Sequence, residues 1–548
     1  MKLLLKKLIL KHGASLGLTS LNDFEVEIPK VQSHGDYSTN VAMQLARATK
    51  QSPRNLAQGL VESLKQESDY LNRVEIAGPG FINFFINPTG YHIALKELES
   101  GDEINLPNLG QGKSVLIEFV SANPTGPMHI GHGRNAVVGD VLARVFSAMG
   151  YRVQREFYVN DHGAQIQTLG KSGAHYLARL QGKTTDNNLA ADVYQGEYLE
   201  TLVKKHQSEL EKLSDDQAMG KLLSKDLLVA IQQTLAKLQI HFDYYFPESK
   251  LYESKAIDQV LKLLREKGFL YEAEGALWFR STDLGDDKDR VLVKQDGSYT
   301  YLTPDIAYHK DKFDRHYDLY INVLGADHGG YLERVRASLQ ALGYDANQLK
   351  FLLMQLVNLM EGDVQKKMSK RKGTVVTLEE VLKEVGVDAT RFFLVMRSHH
   401  QTLDFDLDLA KQQSSENPVY YVQYAYARLS SVLTKASETG LSLDPQLPPP
   451  LDALNLPEEM ELIQKMLSLE DVLQEVVANL EPHRVTFYLM DLAKSFQAYY
   501  TKGKSDARYR VLGQASQVSL AKLYLVKVLR ATFKQGLSLL GVSAPERM

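Results

Sequence analysis

Ser121-Ala-Asn-Pro-Thr-Gly-Pro-Met-His-Ile-Gly-His132 is the stretch that decides the fold, and we call it the first motif. The apolar run Val115-Leu116-Ile117 precedes it and predicts a buried strand. From about Gly133, apolar residues recur at helical spacing until Gly150, which favours the end of a helix. The first motif is therefore predicted to be a loop between a strand and a helix. In open parallel sheets, ligands bind at such loops.

The alternation of strands and helices continues along the chain. Further strands are predicted at residues 153–159, 320–324 and 351–357, and a helix is predicted at 332–342 with Gly343 as its end. This order favours the α/β class, with a doubly wound parallel sheet of the Rossmann type. The polar segment at about 180–245 lacks the rhythm and predicts a helical insertion.

The two ends of the chain have different textures. Residues 1–105 predict a small α+β domain, with an alternating strand near 24–28, a helix start at Ser52-Pro53 and a strand at 81–86. Residues 106–395 hold the sheet domain. No strand is expected beyond about residue 400, and residues 396–548 predict an all-α bundle.

Composition excludes several function classes. The chain has 548 residues and no cysteine, so disulfides, thiolate zinc sites and cysteine nucleophiles are impossible. The formal net charge is −4, so any nucleic acid must be met by local basic patches. No apolar run reaches the ~18 residues that a membrane span needs. We expect a cytoplasmic monomer without a protein-bound metal site.

The first motif carries two histidines. His129 and His132 lie three residues apart, so both can face one bound group and donate hydrogen bonds to phosphate oxygens. Gly131 and Gly133 let the backbone approach a ligand at a helix start, where free N–H groups favour phosphate. The alternative is that the two histidines only cap the helix.

A basic stretch, Lys366-Lys-Met-Ser-Lys-Arg-Lys-Gly-Thr374, forms the second motif. Five cations in seven residues can hold a polyphosphate and neutralise a leaving pyrophosphate. An exposed basic turn is the alternative for this motif taken alone.

Together the two motifs resemble those of class I aminoacyl-tRNA synthetases. His129-Ile-Gly-His132 resembles their HIGH motif, and Lys367-Met-Ser-Lys-Arg371 resembles KMSKS with arginine in place of the last serine. The resemblance implies that ATP with Mg²⁺ and an amino acid form an aminoacyl-adenylate. The aminoacyl group is then transferred to the terminal adenosine of tRNA.

The amino acid is expected to be L-arginine. Cysteinyl enzymes need cysteine zinc ligands, and the insertion is too short for the editing domain of the isoleucine, leucine and valine enzymes. A guanidinium can instead be matched by carboxylate acceptors. Several stretches resemble arginyl-tRNA synthetases, whose partner is tRNA(Arg): 118–127, 158–165, 285–290, 325–328 and 540–548.

The resemblance implies roles for single residues. Asn123 would hold the backbone end of arginine, and its side chain would be bound by Glu118, Tyr301 and Asp305. The ATP group would comprise His129, His132, Lys367 and Lys370 as catalytic residues, with Gly131, Gly133, Ser369, Asp327 and His328 as further contacts. Gln165 is expected near arginine. Alternatively, Glu118 and Asp305 are buried carboxylates that hold structural partners.

The flanking regions are expected to bind tRNA. By resemblance, the N-terminal domain contacts the tRNA elbow and the C-terminal bundle reads the anticodon. Single-stranded bases stack on aromatic and guanidinium planes, which Tyr424, Arg428 and Tyr499 could offer. The alternative is that these side chains pack helices together.

Two other functions remain open from the sequence. One is a nucleotidyltransferase with the same motifs, although a C-terminal bundle would then have no role. The other is an RNA-binding protein that has lost catalysis, which the intact histidines and lysines disfavour.

Overall fold

The computed structural model describes residues 1–16, 24–29, 31–101, 103–183, 193–362, 364–366 and 376–548. The N-terminal region is an antiparallel sheet with strand order β1-β2-β4-β3, covered by helices. Helix α3 begins at Pro53 after Ser52, as predicted. The elements of this region are α1 (Lys2–Gly13), β1 (Val26–Glu27), β2 (Tyr37–Thr39), α2 (Val41–Thr49), α3 (Pro53–Leu64), β3 (Leu71–Ala77), β4 (Phe81–Ile86), α4 (Pro88–Leu98), β5 (Glu99–Ser100) and β6 (Glu103–Ile104).

A five-stranded sheet with order β14-β13-β7-β8-β9 forms the centre of the molecule, and all of its pairs are parallel. This confirms the predicted parallel-sheet fold. The elements up to the sheet's last strand are β7 (Ser114–Glu118), α5 (Ile130–Ala148), β8 (Arg152–Val159), α6 (Ala164–Leu180), α7 (Glu197–Lys205), α8 (Gln207–Leu210), α9 (Asp216–Lys237), β9 (Tyr244–Pro247), α10 (Ser249–Glu253), α11 (Ala256–Glu266), β10 (Leu270–Ala273), β11 (Ala276–Phe279), β12 (Arg290–Val293), α12 (Leu302–Asp314), β13 (Leu319–Gly325), α13 (Leu332–Leu342) and β14 (Leu349–Met354).

Helix α5 follows the first motif and is buried over most of its surface. Even Arg134 is fully buried, and its guanidinium donates to the carbonyls of Gln355, Ser398 and Gln401, each at 2.9 Å. Burial lowers the pKa of Arg134 to about 10. Because these acceptors lie on two separate loops, Arg134 fastens the helix to both.

A three-stranded sheet with order β16-β15-β17 departs from the sequence prediction. The strand predicted at 351–357 exists as β14 (Leu349–Met354), but its predicted end is wrong, because the chain turns at 355–356 before β15. The expectation of no strand beyond residue 400 is also wrong, since β17 pairs in parallel with β15. The elements are β15 (Val357–Glu361), β16 (Val364–Lys366), α14 (Leu378–Val385), α15 (Val387–Val395), β17 (Leu403–Asp406) and α16 (Leu407–Lys411).

The C-terminal region is a helical bundle, as predicted. Its longest helices pack against one another around an apolar core. Contacts with the N-terminal region include Lys527 Nζ to Glu99 Oε1 at 2.8 Å and His92 Nε2 to the Leu454 carbonyl at 3.1 Å. Within the described ranges, no helix is both long and apolar enough to cross a membrane. The bundle helices are α17 (Pro418–Glu438), α18 (Pro457–Leu467), α19 (Leu469–Asn479), α20 (His483–Lys502) and α21 (Ser516–Leu540).

The packing of α5 on the central sheet predicts a cost for one added methyl group. A Cβ at Gly139 would lie 2.3 Å from the Phe119 ring, so Gly139→Ala should destabilise the protein by about 1–3 kcal/mol through overpacking. The matched control is Gly59→Ala in α3, where the nearest atom would be 3.5 Å away. Because alanine favours helix more than glycine does, this control should be neutral or stabilising. Denaturant unfolding measures both, and equal effects would contradict the packing argument.

Candidate active site

The backbone is strained where the first motif leaves the sheet. Val120 has φ 68° and Ser121 has φ 39°, a left-handed region that a β-branched residue rarely adopts. Asn135 of α5 holds this turn, because its Oδ1 accepts from Val120 N at 2.6 Å and its Nδ2 donates to the Val323 carbonyl at 2.9 Å. Such strain persists only where the surroundings fix it, as at functional sites.

The two histidines of the first motif cap helix α5. His129 Nδ1 accepts from the N–H groups of Gly131 and His132, at 3.1 and 3.4 Å, and His132 Nδ1 accepts from His129 N at 3.3 Å. The rings stack with centroids 3.7 Å apart. The capping role, given as the alternative in the sequence analysis, is therefore present in the structure and engages the Nδ1 atom of each ring.

Gly131 of the first motif and Gly133, which directly follows the motif, have different surroundings. A Cβ at Gly133 would lie 2.7 Å from Leu378 Cδ1, so this glycine lets α14 pack against α5. A Cβ at Gly131 would meet the His129 ring at 3.1 Å. Both glycines therefore serve the packing of the motif itself, beside any approach to a ligand.

The second motif is flanked by segments that lie against the first. Lys367, Ser369 and Lys370 lie outside the described residues. Beyond the motif, Thr377 pairs with His129 as an isolated bridge, and Leu378 N donates to the Met128 carbonyl at 2.8 Å. The chain therefore returns directly onto the first motif after the second one.

A cavity of about 290 Å³ opens beside the first motif. Asn123, Gly126, His132 and Thr377 line it together with residues 194–198 of the insertion. The hydroxyl of Tyr198 donates to the Thr125 carbonyl at 2.9 Å, which ties the insertion to the motif. The structure thus brings Asn123 and His132 to one space.

Glu118 ends β7 and is buried beside a lysine. Its Oε2 accepts from the fully buried Lys312 Nζ, and its Oε1 accepts from Ser121 Oγ at 3.0 Å. Lys312 also donates to Asn322 Oδ1 at 2.8 Å. The structural alternative for Glu118 is therefore present in the molecule, and a bound guanidinium would have to share this carboxylate with Lys312.

Two further carboxyl groups, Asp305 and Glu248, have strongly perturbed acidity. Burial raises the pKa of Asp305 to about 7, although a hydrogen bond from Tyr331 opposes the shift. Burial likewise raises the pKa of Glu248 to about 7, against a hydrogen bond from Tyr158. The nearby carboxylates of Glu248 and Glu118 raise the pKa of Asp305 further. Such a group of acids favours a cationic ligand.

Glu248 escaped the sequence analysis. It directly follows β9, and its N–H donates to the Val159 carbonyl at the end of β8, at 2.9 Å. Strand β9 has only four residues, and its sequence Tyr-Tyr-Phe-Pro does not alternate. The sequence signal that could have identified Glu248 is its position between an aromatic run and a serine that begins a helix.

The remaining predicted substrate residues lie at the same edge of the sheet. Asp327 and His328 follow β13 and are exposed, with His328 Nε2 3.9 Å from Asp327 Oδ2. Gln165 is the second residue of α6. Tyr301 precedes α12 by one residue and is 73% exposed, so its ring does not enclose Asp305 in this conformation.

The bundle carries an aromatic and guanidinium row. Rings of Tyr420 and Tyr424 stack with centroids 6.3 Å apart, and the Arg428 guanidinium lies 4.5 Å from the Tyr424 centroid and 4.8 Å from that of Tyr500. The expectation that Tyr499 stacks on a base does not fit its position. Its ring is only 3% exposed, and its hydroxyl donates to Glu459 Oε1 at 3.0 Å.

Comparison with known proteins identifies the family. Residues 96–417 match the family model "tRNA synthetases class I (R), catalytic domain", residues 422–548 match "DALR anticodon binding domain", and residues 4–86 match "Arginyl tRNA synthetase N terminal domain". The chain belongs to the arginyl-tRNA synthetases. The two sequence motifs and the parallel sheet are the features that this family membership explains.

Individual relatives agree along the whole chain. An arginine–tRNA ligase of Syntrophotalea carbinolica is 45% identical over 96% of each chain, and one of Geobacillus thermodenitrificans is 44% identical over 100% of this chain and 99% of its own. A crystal structure of a putative arginyl-tRNA synthetase from Campylobacter jejuni is 32% identical, with TM-score 0.73 over 84% of this chain and 100% of its own. The Thermus thermophilus arginyl-tRNA synthetase shares the fold, with TM-score 0.79 at 24% identity over 100% of both chains.

The perturbed acids of this arginyl-tRNA synthetase predict a pH dependence of its stability. The pKa values of Asp305 and Glu248 are raised from 3.8 and 4.5 to about 7, so the folded state binds protons that the unfolded state has lost. The free energy of unfolding of the ligand-free protein should therefore fall as pH rises from about 4 to about 7. Asp305→Asn with Glu248→Gln should flatten that slope in thermal melts. An unchanged slope would mean that these carboxyls are ionised in the folded state at low pH.

Proposed function

We propose that this arginyl-tRNA synthetase binds arginine between Glu118, Asp305 and Glu248 and activates it with ATP held by the two motifs. The chain is an arginine–tRNA ligase: it forms arginyl-adenylate from arginine and ATP with release of pyrophosphate, then transfers arginine to the terminal adenosine of tRNA(Arg). The observation that carries the residue assignment is the raised pKa of Asp305 and Glu248 at one edge of the sheet. A guanidinium bound between these carboxyl groups would favour their ionised forms and offset the cost of burying their charges.

The proposed contacts with arginine and ATP are arranged along the carboxyl edge of the central sheet. Asn123 holds the α-ammonium or carboxylate of arginine from the cavity beside His132, which places the reacting carboxylate near the phosphates. His129 and His132 donate from Nε2 to phosphate oxygens as negative charge moves toward pyrophosphate. Lys367 and Lys370 of the second motif supply the positive charge that stabilises the leaving group. Tyr301, Gln165, Asp327 and His328 are proposed as contacts that form when substrates bind.

Mg²⁺ is proposed to arrive with ATP as part of that substrate. Across the described ranges, no three histidine, aspartate or glutamate side chains gather as a ligand set for a metal ion. Phosphate oxygens supply most ligands of Mg²⁺ in such substrates. We further propose that the protein is a monomer and works in the cytoplasm. A chain without cysteine has no disulfide to lose in the reducing conditions there.

The bundle is proposed to hold the anticodon on the row formed by Tyr420, Tyr424, Arg428 and Tyr500. A cavity of about 250 Å³ adjoins the row at Tyr500 and is lined by Lys435, Lys504, Tyr509 and Arg510 among others. Aromatic faces stack unpaired bases, and the surrounding cations bind phosphates.

The assignment is tested by charging bulk tRNA with each of the 20 amino acids. Arginine alone should be attached, because a single ammonium such as that of lysine cannot satisfy carboxylates arranged for a five-donor fork. Pyrophosphate exchange should depend on arginine and should require tRNA. Charging with another amino acid would overturn the substrate, whereas brisk exchange without tRNA would overturn only the tRNA requirement.

The arginine pocket is tested by Asp305→Asn. Loss of one carboxylate leaves the bound guanidinium partly unpaired, which costs roughly 2–5 kcal/mol. At ~1.4 kcal/mol per tenfold change, kcat/KM for arginine should fall about 10²-fold or more while KM for ATP is nearly unchanged. Asp314→Asn is the control, since Asp314 is exposed on the same helix and pairs with Lys310 at 2.6 Å. A raised KM for ATP with unchanged use of arginine would place Asp305 in the nucleotide site.

A further inference from the structure

Two distant helix ends meet at the middle of α5 through one buried arginine. Arg391 of α15 is fully buried. Its Nε donates to the Leu540 carbonyl at 2.8 Å, and its Nη1 donates to the Leu238 carbonyl at 2.7 Å. Its Nη2 donates to Asp140 Oδ2 of α5 at 2.5 Å. One guanidinium thus joins the end of the bundle helix α21, the end of the insertion helix α9 and α5.

A second arginine repeats this pattern. Arg144 of α5 donates from Nε to Asp140 Oδ2 at 2.7 Å, from Nη1 to the Ser538 carbonyl at 3.3 Å and from Nη2 to the Gln239 carbonyl at 3.1 Å. Both arginines therefore bind carbonyls at the ends of α21 and α9, and both share the carboxylate of Asp140. We call Asp140, Arg144 and Arg391 the arginine node.

The node fits the electrostatics of helix ends. The last carbonyls of a helix lack partners within the helix and carry a partial negative charge, which cations stabilise. Two guanidinium groups held close together need an anion, and Asp140, only 2% exposed, supplies it. The fit is close, because a Cβ at Gly541, whose φ is 64°, would lie 2.3 Å from Arg391 Nη2.

The node links the region that would bind tRNA to the region that would bind ATP. Helix α5 starts at the capping residue His129, about 16 Å along the helix from Asp140 at 1.5 Å per residue. Helix α21 lies in the region that matches the anticodon-binding family model. Helix α9 ends the insertion, whose residues 194–198 line the cavity beside His132.

We propose that Asp140 is a positioning residue for aminoacylation, which through Arg391 and Arg144 makes the placement of α5 depend on the bundle and the insertion. The effect of tRNA on pyrophosphate exchange, already part of the proposed function, would then reach the ATP site through this node. This inference rests on the proposed function, because it requires that the bundle holds tRNA while the first motif handles ATP.

The rival explanation is that the node only stabilises the fold. The two differ in coupling: a positioning residue carries interaction free energy between two sites, whereas a purely structural one affects both substrates alike. The probe is a pair of RNAs, full-length tRNA(Arg) and a minihelix that contains only its acceptor stem. The measured quantity is the ratio of kcat for the two RNAs at saturating arginine and ATP.

Asp140→Asn keeps the shape of the side chain and removes its charge. We expect the full-length tRNA to be charged at least about tenfold more slowly, within the usual range of coupling between sites, while kcat for the minihelix changes less than about twofold. KM for arginine should be unchanged. Glu459→Gln is the control, since Glu459 is a buried carboxylate of the bundle that lies 3.5 Å from Lys522 and accepts a hydrogen bond from Tyr499 of α20. It should lower the Tm and leave the ratio unaltered.

Arg144→Lys provides a second variant if Asp140→Asn does not fold. Arg144 is partly exposed, and lysine keeps the charge while losing carbonyl contacts, so a smaller loss confined to full-length tRNA is expected. An equal loss on both RNAs, or a wild-type ratio of one, would overturn the positioning role. Failure of the wild-type protein to charge any tRNA with arginine would instead overturn the proposed function.

Discussion

Helix α5 is buried on nearly every side, and this burial constrains the rest of the catalytic region. A polar group inside a protein costs free energy unless it is hydrogen-bonded, so each polar side chain on α5 must find a partner within the protein. Arg134 binds the carbonyls of two loops, Asn135 holds the strained turn and the end of β13, and Asp140 binds two arginines. These partners belong to the loops, the strand and the helices that surround α5. The position of α5 therefore fixes the positions of those elements.

The other organising feature is the charge at the carboxyl edge of the sheet. Glu118 has a cationic partner in Lys312, whereas Asp305 and Glu248 are held mainly by tyrosine hydroxyls. A hydroxyl stabilises a carboxylate less than a cation does, and burial therefore raises the pKa of both acids to about 7. A bound guanidinium is proposed to favour the ionised form of both.

Elements with clear periodicity and marked ends could be predicted from sequence. Helix α13 lies at 332–342 as expected, because its apolar face and its closing glycine Gly343 are both local signals. The turn at 355–356 could not be predicted, since the single polar residue Gln355 is followed at once by further apolar residues. Residue Leu356 is 73% exposed, and only the pairing of β15 with β17, over 40 residues away, reveals why.

The candidate site was predictable in its motifs and not in its pairings. Lys312 lies 194 residues from Glu118, so no local pattern connects them. Tyr499 and Tyr500 are adjacent on α20, where successive side chains point about 100° apart, and only the helix packing decides which ring is buried. Sequence reasoning could name candidate residues by their chemistry, whereas the partners of those residues depend on the assembled fold.

The Gly541–Arg391 contact has a consequence for how this enzyme can be divided. One of the two carbonyls that accept from Arg391, that of Leu540, belongs to the last bundle helix, although Arg391 itself lies in α15, before the bundle. A fragment that ended before α17 would lack the bundle. Arg391 would then lose the Leu540 carbonyl as an acceptor and would lie beside an apolar surface that the bundle covers in the whole chain. A fusion or exchange that replaced the bundle of this chain would therefore have to supply an equivalent acceptor for Arg391.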